Sequence, residues 1–405
     1  LEAICANLKS WKSLDYVAGW FIKACEFLEK NDGHCSFVAT KTICEGEQAP
    51  ILWPFIFSHG LEIDFAHLPF TWANLASNKA GVTVVVIGFG ASKNQKYLID
   101  GETRRSVDLI GPYLAPGTKA AVVKSMTPLF GQSKMLRGNM PTDGGNFILS
   151  HEEATEFLSS HKEYDSLVRP FMGASEVTGG TRRYCVWIES DKVDFAMSNP
   201  FINDRVQKVR AMRLSSSAPT TRNTKVPPHR FMQVEGVSKE YSIAVPAITS
   251  ENRDYLPAAI FDSSVILSNK CYAVYDAPLW NFSIAVSSIH RVWISTVCAK
   301  MRADYSYSNT LGWNTFPVPT LTEQNKADLT RCAEDILLAR EVHFPATIAD
   351  LYDPETMPAN LREAHDRNDE VLERIYIGRR FRNDTERLEK LFELYTKMTA
   401  KGKAA

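Results

Sequence analysis

The chain predicts an α/β unit that finishes in an antiparallel hairpin, then an α+β region of short strands and long loops, then a helical tail. Three observations carry this. Near the N-terminus apolar helical stripes alternate with β-branched runs in the order helix, strand, helix, strand, strand. From about residue 100 to 320 helical periodicity mostly gives way to aromatic and β-branched runs such as YCVWIE, YSIAVPAI, SSVILS and CYAVYDA, punctuated by Gly, Pro, Ser and Thr. After Phe316-Pro317-Val318-Pro319 the helical pattern returns.

Taken in order, residues 14–28, LDYVAGWFIKACEFL, place Val17, Trp20, Phe21, Ala24 and Leu28 on one helical face. Asn31-Asp32-Gly33 stops that helix, and CSFVAT (35–40) reads as a short buried strand. ILWPFIFSHG reads as a helix started or kinked by Pro54 and ended by Gly60, and LEIDFAH (61–67) alternates as a strand. VTVVVIGFGA (82–91) is the next strand, and its Gly88-Phe89-Gly90 raises the question of a dinucleotide loop. Such a loop needs a third glycine three positions on and a helix to hold the pyrophosphate. Lys93 stands at that position, and the polar residues Ser92 to Lys96 run into another short strand, Tyr97 to Asp100. Two strands about a polar, glycine-containing turn read as a hairpin, which disfavours an oxidoreductase. In the tail, Leu329, Ala333, Ile336 and Leu337 fall in register, and the pattern continues from Asn368 to Ile377. The last helix aligns Leu388, Leu391, Phe392, Tyr395 and Met398, with Asn383 and Glu386 spaced for a capping box.

At 405 residues and 45.5 kDa the chain has room for two or three domains. It carries no apolar run of membrane-spanning length and no signal-peptide pattern, so a cytoplasmic protein without membrane contact is expected. Eight cysteines without a C-x-x-C pair argue against zinc and against a disulfide framework. No histidine, His290 and His365 included, has a second ligand at metal spacing, so no metal is expected. The net charge is −1, yet from Arg205 to Lys239 the only acid is Glu235 among eight basic residues. A local basic stretch on a balanced protein suits a polyanion-binding face, and equally a solvated surface loop.

Several long strings, in order, resemble MmeI-like DNA methyltransferases. LDYVAGWFIKACEFL, FVATKTICEGEQ, LEIDFAHLPFTWAN and AGVTVVVIGF resemble the second half of the catalytic domain. RPFMGASE, RRYCVWI, VPAITSENRDYLP, SSIHRVWI and YSNTLGWNTFPVP resemble the target-recognition domain. LYDPETMPANLREAHDRNDEVLERIYIGRRF and ERLEKLFELYTKM resemble the C-terminal region. The resemblance implies residues 1–125 as the closing half of a class I methyltransferase (Rossmann-like) sheet, 126–320 as a mixed α+β recognition domain and 321–405 as a helical region. It implies adenine-N6 methylation of double-stranded DNA within a restriction–modification system, with S-adenosylmethionine as donor in the intact enzyme. In this fold the final strand enters the sheet antiparallel, making VTVVVIGF one arm of a hairpin and the glycines its turn.

The resemblance also implies parts that the sequence lacks. A glycine-rich donor loop and a D/N-P-P-F/Y tetrad are needed, and Ser198-Asn199-Pro200-Phe201 is one proline short and lies in the recognition domain. These parts are expected upstream of Leu1, in an N-terminal portion of the same protein. The chain alone is then expected to bind no donor and to be inactive.

Adenine must leave the duplex to be methylated, and an aromatic ring holds it. By position in the resemblance, Phe70 is the candidate, with Trp72 beside it. Arg210, Arg213, Arg222, Lys225 and Arg230 are candidates for phosphate or base contacts. Glu251 and Arg253 in SENRDY either touch bases or brace the loop. Lys300 and Arg302 lie in KMRADYSYS, where the family carries G-R-L-K; Ala299-Lys300-Met301 departs from it. A competing reading is a stand-alone DNA specificity protein resembling type I specificity subunits, since FPVPTLTEQ runs into a helix; it leaves residues 14–89 unexplained.

Overall fold

The computed structural model describes residues 1–72, 82–91, 95–222, 226–302 and 304–402, the last two as backbone. It forms two compact units. The first comprises Leu1–Gln132, Ser288–Asn325 and Asp369–Ala405, the second Ser133–Ser287 and Lys326–Asn368.

The first unit is built on a sheet of β1 (His34–Thr40), β2 (Leu61–Trp72), β3 (Val82–Ala91), β4 (Lys96–Asp100) and β5 (Thr103–Val107). Their order is β1-β3-β2-β4-β5. β3 runs antiparallel to both β1 and β2, β4 is parallel to β2, and β5 is antiparallel to β4. The late strand is thus inserted antiparallel between two parallel ones, as the resemblance implies. Helices Ala18–Leu28 and Ala49–Ser58 contribute Phe21 and Trp53 to the core, with Phe21 stacked on Phe89 at 5.6 Å.

Four expectations change. Helix Ala18–Leu28 buries Phe21 and Ala24 as expected, together with Ala18, Ile22 and Cys25, whereas Trp20 turns outward and is 55% exposed. β1 lies at the edge of the sheet, so alternate residues such as Val38 face outward and the strand is half-buried rather than buried. Pro54 sits inside a helix that has already started at Ala49. Gly88 and Gly90 lie within β3 and not in a turn, and β3 pairs with β2 rather than with Tyr97–Asp100, because β2 occupies the place between them. The hairpin is β2–β3, and its connection lies outside the described residues.

Gly88 is paired with Phe65 and Gly90 with His34. A Cβ at Gly88 would stand 2.1 Å from a Phe65 ring carbon, and one at Gly90 2.2 Å from His34 Nδ1. Glycine is required here because neighbouring side chains lie across the backbone.

Helix Asp384–Gly402 buries Leu391, Phe392 and Tyr395, with Phe392 and Tyr395 against Trp293 of helix Ser288–Val297. Asn383 Oδ1 accepts from the Glu386 amide at 2.9 Å. The Glu386 carboxylate accepts from Arg379 and Arg382 instead of completing the capping box.

The second unit holds two four-stranded sheets. One joins Ala259–Asp262, Tyr241–Pro246, Cys271–Tyr275 and Leu136–Arg137; the other joins Ile266–Leu267, Val168–Met172, Arg183–Val186 and Ile148–Ser150. Helices His151–Ser160 and Pro200–Ser215 pack on the second sheet through Phe157, Ile202, Val206 and Val209. Helices Glu323–Glu341 and Ala359–Ile377 add Leu329, Ala333, Ile336, Leu361 and Ala364 to the buried residues. No helix among the described residues is long and apolar enough to cross a membrane.

Candidate nucleic-acid interface

In an open α/β sheet, ligands gather beyond the carboxyl ends of the parallel strands. β1 and β2 end at Thr40 and Trp72, and both Thr40 and Phe70 pair with Val84 of β3. Phe70 therefore shares one row of the sheet with the carboxyl end of β1. Phe70 is 40% exposed and Trp72 45%, with ring centroids 6.4 Å apart and planes tilted by 39°. Pro69 precedes them at a register shift between His67 and Phe70, where a missing amide breaks no regular ladder bond and the strand can re-aim its side chains.

Beyond β1 lies a polar clamp that sequence reasoning did not single out. Asp15 Oδ2 accepts from the Thr42 hydroxyl at 2.8 Å and from Gln48 Nε2 at 2.9 Å, and Gln48 Oε1 accepts from the Asp15 amide at 2.8 Å. Asp15 and Gln48 are 33 residues apart, so no local pattern announces the pair.

The glycines of β3 do not fit a cofactor. The space above them is filled by Phe65 and His34, and His34 Nδ1 lies 2.5 Å from the Asp64 carboxylate.

In the second unit, Ser198-Asn199-Pro200-Phe201 starts a helix and is no catalytic tetrad. Asn199 Oδ1 accepts from the amides of Phe201 and Ile202 at 2.9 and 3.2 Å, and Pro200 takes the first turn, where its missing donor is unneeded. At the far end of that helix, Arg213 is 5% exposed. Its guanidinium donates to the carbonyls of Pro141 at 2.8 Å, Thr142 at 2.9 Å, Pro227 at 3.3 Å and Arg230 at 2.7 Å. Arg213 is accounted for by the fold, as a brace for the loop that follows.

Arg210, Arg222 and Arg230 are exposed. Arg222 Nη1 donates to the carbonyls of Ser216 at 2.6 Å and Ser217 at 2.8 Å, which holds its stem against the loop. Arg210, Arg213 and Arg222 line one cavity of about 350 Å³ with Leu214, Thr221, Val226 and Pro228. Lys225 lies outside the described residues.

Glu251 and Arg253 are half-buried in a turn after Ile248–Thr249. Ser250 Oγ accepts from the Asn252 amide at 3.3 Å and the Ser250 carbonyl from the Arg253 amide at 3.4 Å, a side-chain-assisted turn. Lys300 and Arg302 belong to the first unit. The Lys300 amide donates to Glu45 Oε1 at 3.2 Å and its ammonium lies 5.2 Å from the Tyr305 ring centre, while Arg302 is exposed at φ +61°. The structure thus divides the candidates between the two units.

An open sheet with its late strand inserted antiparallel, together with a second unit that carries a basic loop, defines a methyltransferase-type chain with a recognition region. The chain belongs to the MmeI family. Residues 1–100 match the DNA-methyltransferase domain of MmeI, 116–320 its target recognition domain and 321–401 its C-terminal domain. The chain is 36% identical over 399 residues to DNA methyltransferase A of Bacillus subtilis (strain 168), covering 98% of this chain and 45% of that protein. It is similar to the type IIL restriction–modification enzyme MmeI, solved in complex with DNA, with TM-score 0.90 and 34% identity over 99% of this chain and 54% of that one. The chain therefore spans about half the length of these relatives.

Proposed function

We propose that this chain is the target-recognition and partial catalytic region of a sequence-specific DNA adenine-N6 methyltransferase of a restriction–modification system, acting on double-stranded DNA in the cytoplasm. The register carries the reading: it puts an exposed aromatic pair at the ligand end of the sheet. Phe70, with Trp72 beside it, stacks on the adenine rotated out of the duplex. Residues 126–320 read the target: Arg210, Arg222 and Arg230 meet phosphates or bases, and Glu251 and Arg253 meet base edges. Lys225, Lys300 and Arg302 are further DNA contacts of the same reading. DNA bound to a relative supports this assignment.

S-adenosylmethionine serves as donor in the intact enzyme, a reading supported by the methyltransferase relatives. No residue of this chain is assigned to hold it, since the β3 glycines are covered. The exposed Tyr16, Trp20 and Phe27 and the edge position of β1 support an N-terminal portion of the same protein as partner. The 405-residue polypeptide is expected to transfer no methyl group from labelled donor to DNA. Label incorporated by polypeptide free of longer forms would refute this.

Flipping costs less when the target base is unpaired. A selected duplex with its adenine opposite an abasic site is therefore expected to bind this chain more tightly than the paired duplex. Phe70→Ala is expected to weaken binding of the abasic duplex by about 1–3 kcal/mol, one lost stacking contact. Equal affinity of wild type for the two duplexes, and no effect of Phe70→Ala, would defeat the stacking role.

A further inference from the structure

The helices of the C-terminal region do more than pack. Within the second unit two of them grip the turn at residues 250–258 through three side chains. Arg362 of helix Ala359–Ile377 donates through Nη1 to Asp254 at 2.9 Å and through Nη2 to the Pro354 carbonyl at 3.1 Å, so its guanidinium is held at both ends. One turn along the same helix, His365 stacks on Tyr255 with ring centres 4.1 Å apart and planes 20° from parallel. From helix Glu323–Glu341, Arg340 Nη1 donates to the Ala258 carbonyl at 2.7 Å.

These grips are linked. Arg340 Nε donates to the Tyr352 hydroxyl oxygen at 2.8 Å, and that hydroxyl is 2.6 Å from His365 Nε2. With its oxygen accepting from Arg340, Tyr352 has its own proton to donate to Nε2. That polarity suits a neutral imidazole, and burial, reinforced by Arg340 and Arg362, holds the His365 pKa well below the ordinary histidine value. His365, Tyr352, Arg340 and Tyr255 are all buried. His365 Nδ1 has no hydrogen-bond partner, so the ring is held by its Nε2 contact with Tyr352 and its stack on Tyr255, and Arg340 ties Tyr352 to the Ala258 carbonyl. Rigidity in the supporting residues is what base discrimination by a turn requires.

We propose that Arg362 and His365, backed by Arg340 and Tyr352, are positioning residues that set the sequence discrimination of Glu251 and Arg253, so that the C-terminal helices take part in reading DNA. This rests on the assignment of the 250–255 turn to base contact.

The test is selection from a duplex pool with a randomised central segment, in parallel with titration of an unselected duplex at several salt concentrations, using the full chain. Arg362→Ala and His365→Ala are expected to lose roughly tenfold discrimination at the same base positions that Glu251→Ala or Arg253→Ala affect. Affinity for the unselected duplex and its salt slope stay as in wild type. Arg362→Lys, which keeps the charge on Asp254, and His365→Phe, which keeps a ring on Tyr255, are expected to retain most of the discrimination. If Glu251→Ala or Arg253→Ala changes the selected sequence and Arg362→Ala does not, the positioning role is overturned and base contact by the turn stands. If neither Glu251→Ala nor Arg253→Ala changes it, that contact falls and the positioning role with it. A parallel drop in specific and unselected binding would mark a purely structural role and overturn the proposal. Arg362 makes a half-exposed pair and decides the matter even if His365→Ala fails to fold.

Discussion

Arg213→Ala is expected to destabilise the second unit by about 3–5 kcal/mol, because the carbonyls of Thr142 and Arg230 lose this partner, while those of Pro141 and Pro227 keep the amides of Met232 and Arg230. The guanidinium ties together chain segments at 141–142 and at 227–230. Each orphaned carbonyl costs about 1–3 kcal/mol while buried, and some of that is recovered as water enters. Denaturant unfolding followed by tryptophan fluorescence checks the figure, with Arg213→Lys expected to fall between the two. DNA binding should collapse together with stability. Arg222→Ala and Arg230→Ala should behave differently, since both side chains are exposed. They are expected to leave the unfolding midpoint in place and to flatten the salt dependence of DNA binding by roughly 0.9 per lost phosphate contact. An Arg213→Ala protein that unfolds like wild type would remove the brace; unchanged slopes for both exposed arginines would remove the loop from the DNA.

Gly90→Ala is expected to cost the first unit about 3 kcal/mol through overpacking. The added methyl would meet His34 Nδ1 at 2.2 Å and the Gly33 carbonyl oxygen at 2.7 Å. His34 cannot swing aside without giving up its contact with Asp64, and the carbonyl belongs to the backbone of the chain leading into the edge strand. His34→Ala in the same molecule should recover part of the loss, because it clears the ring and leaves the carbonyl. The comparison separates two roles for the G-x-G string. A glycine that admitted a cofactor would show its effect in ligand binding at little cost in stability. Gly90→Ala with an unchanged midpoint would contradict the packing account.

How much of this was legible beforehand follows from the range of each interaction. The Gly88-Phe89-Gly90 string is denied to a dinucleotide by Lys93 and by the polar run from Ser92 to Lys96 that leads into a strand, signals that lie within a dozen residues. The final helix was likewise legible, because an apolar stripe and an N-cap are written within a few turns, and Leu391, Phe392 and Tyr395 are buried. Helix Pro200–Ser215 went unread although Asn199-Pro200 and the spacing of Ile202, Val206 and Val209 announce it. Its remaining residues are largely polar and charged, which dilutes the apolar period. Arg213, at the next position of the same stripe, consequently looked like one more surface cation. The half-formed box at Asn383 shows the same limit: Glu386 had better partners in Arg379 and Arg382.

The sequence by itself determined the order helix, strand, helix, strand, strand through residue 91, the exclusion of a nucleotide loop and, through its long family strings, the class of protein. Only the tertiary structure decided that β2 separates β3 from β4, that Trp20 faces outward, that Phe70 shares a row with Thr40, and that Arg340, Arg362 and His365 hold the 250–258 turn. The physical reason is distance along the chain. Helical period, capping and turn chemistry act over a handful of residues and are written locally, whereas partners such as Asp15 and Gln48, 33 residues apart, or Asp254 and Arg362, 108 apart, become adjacent only on folding.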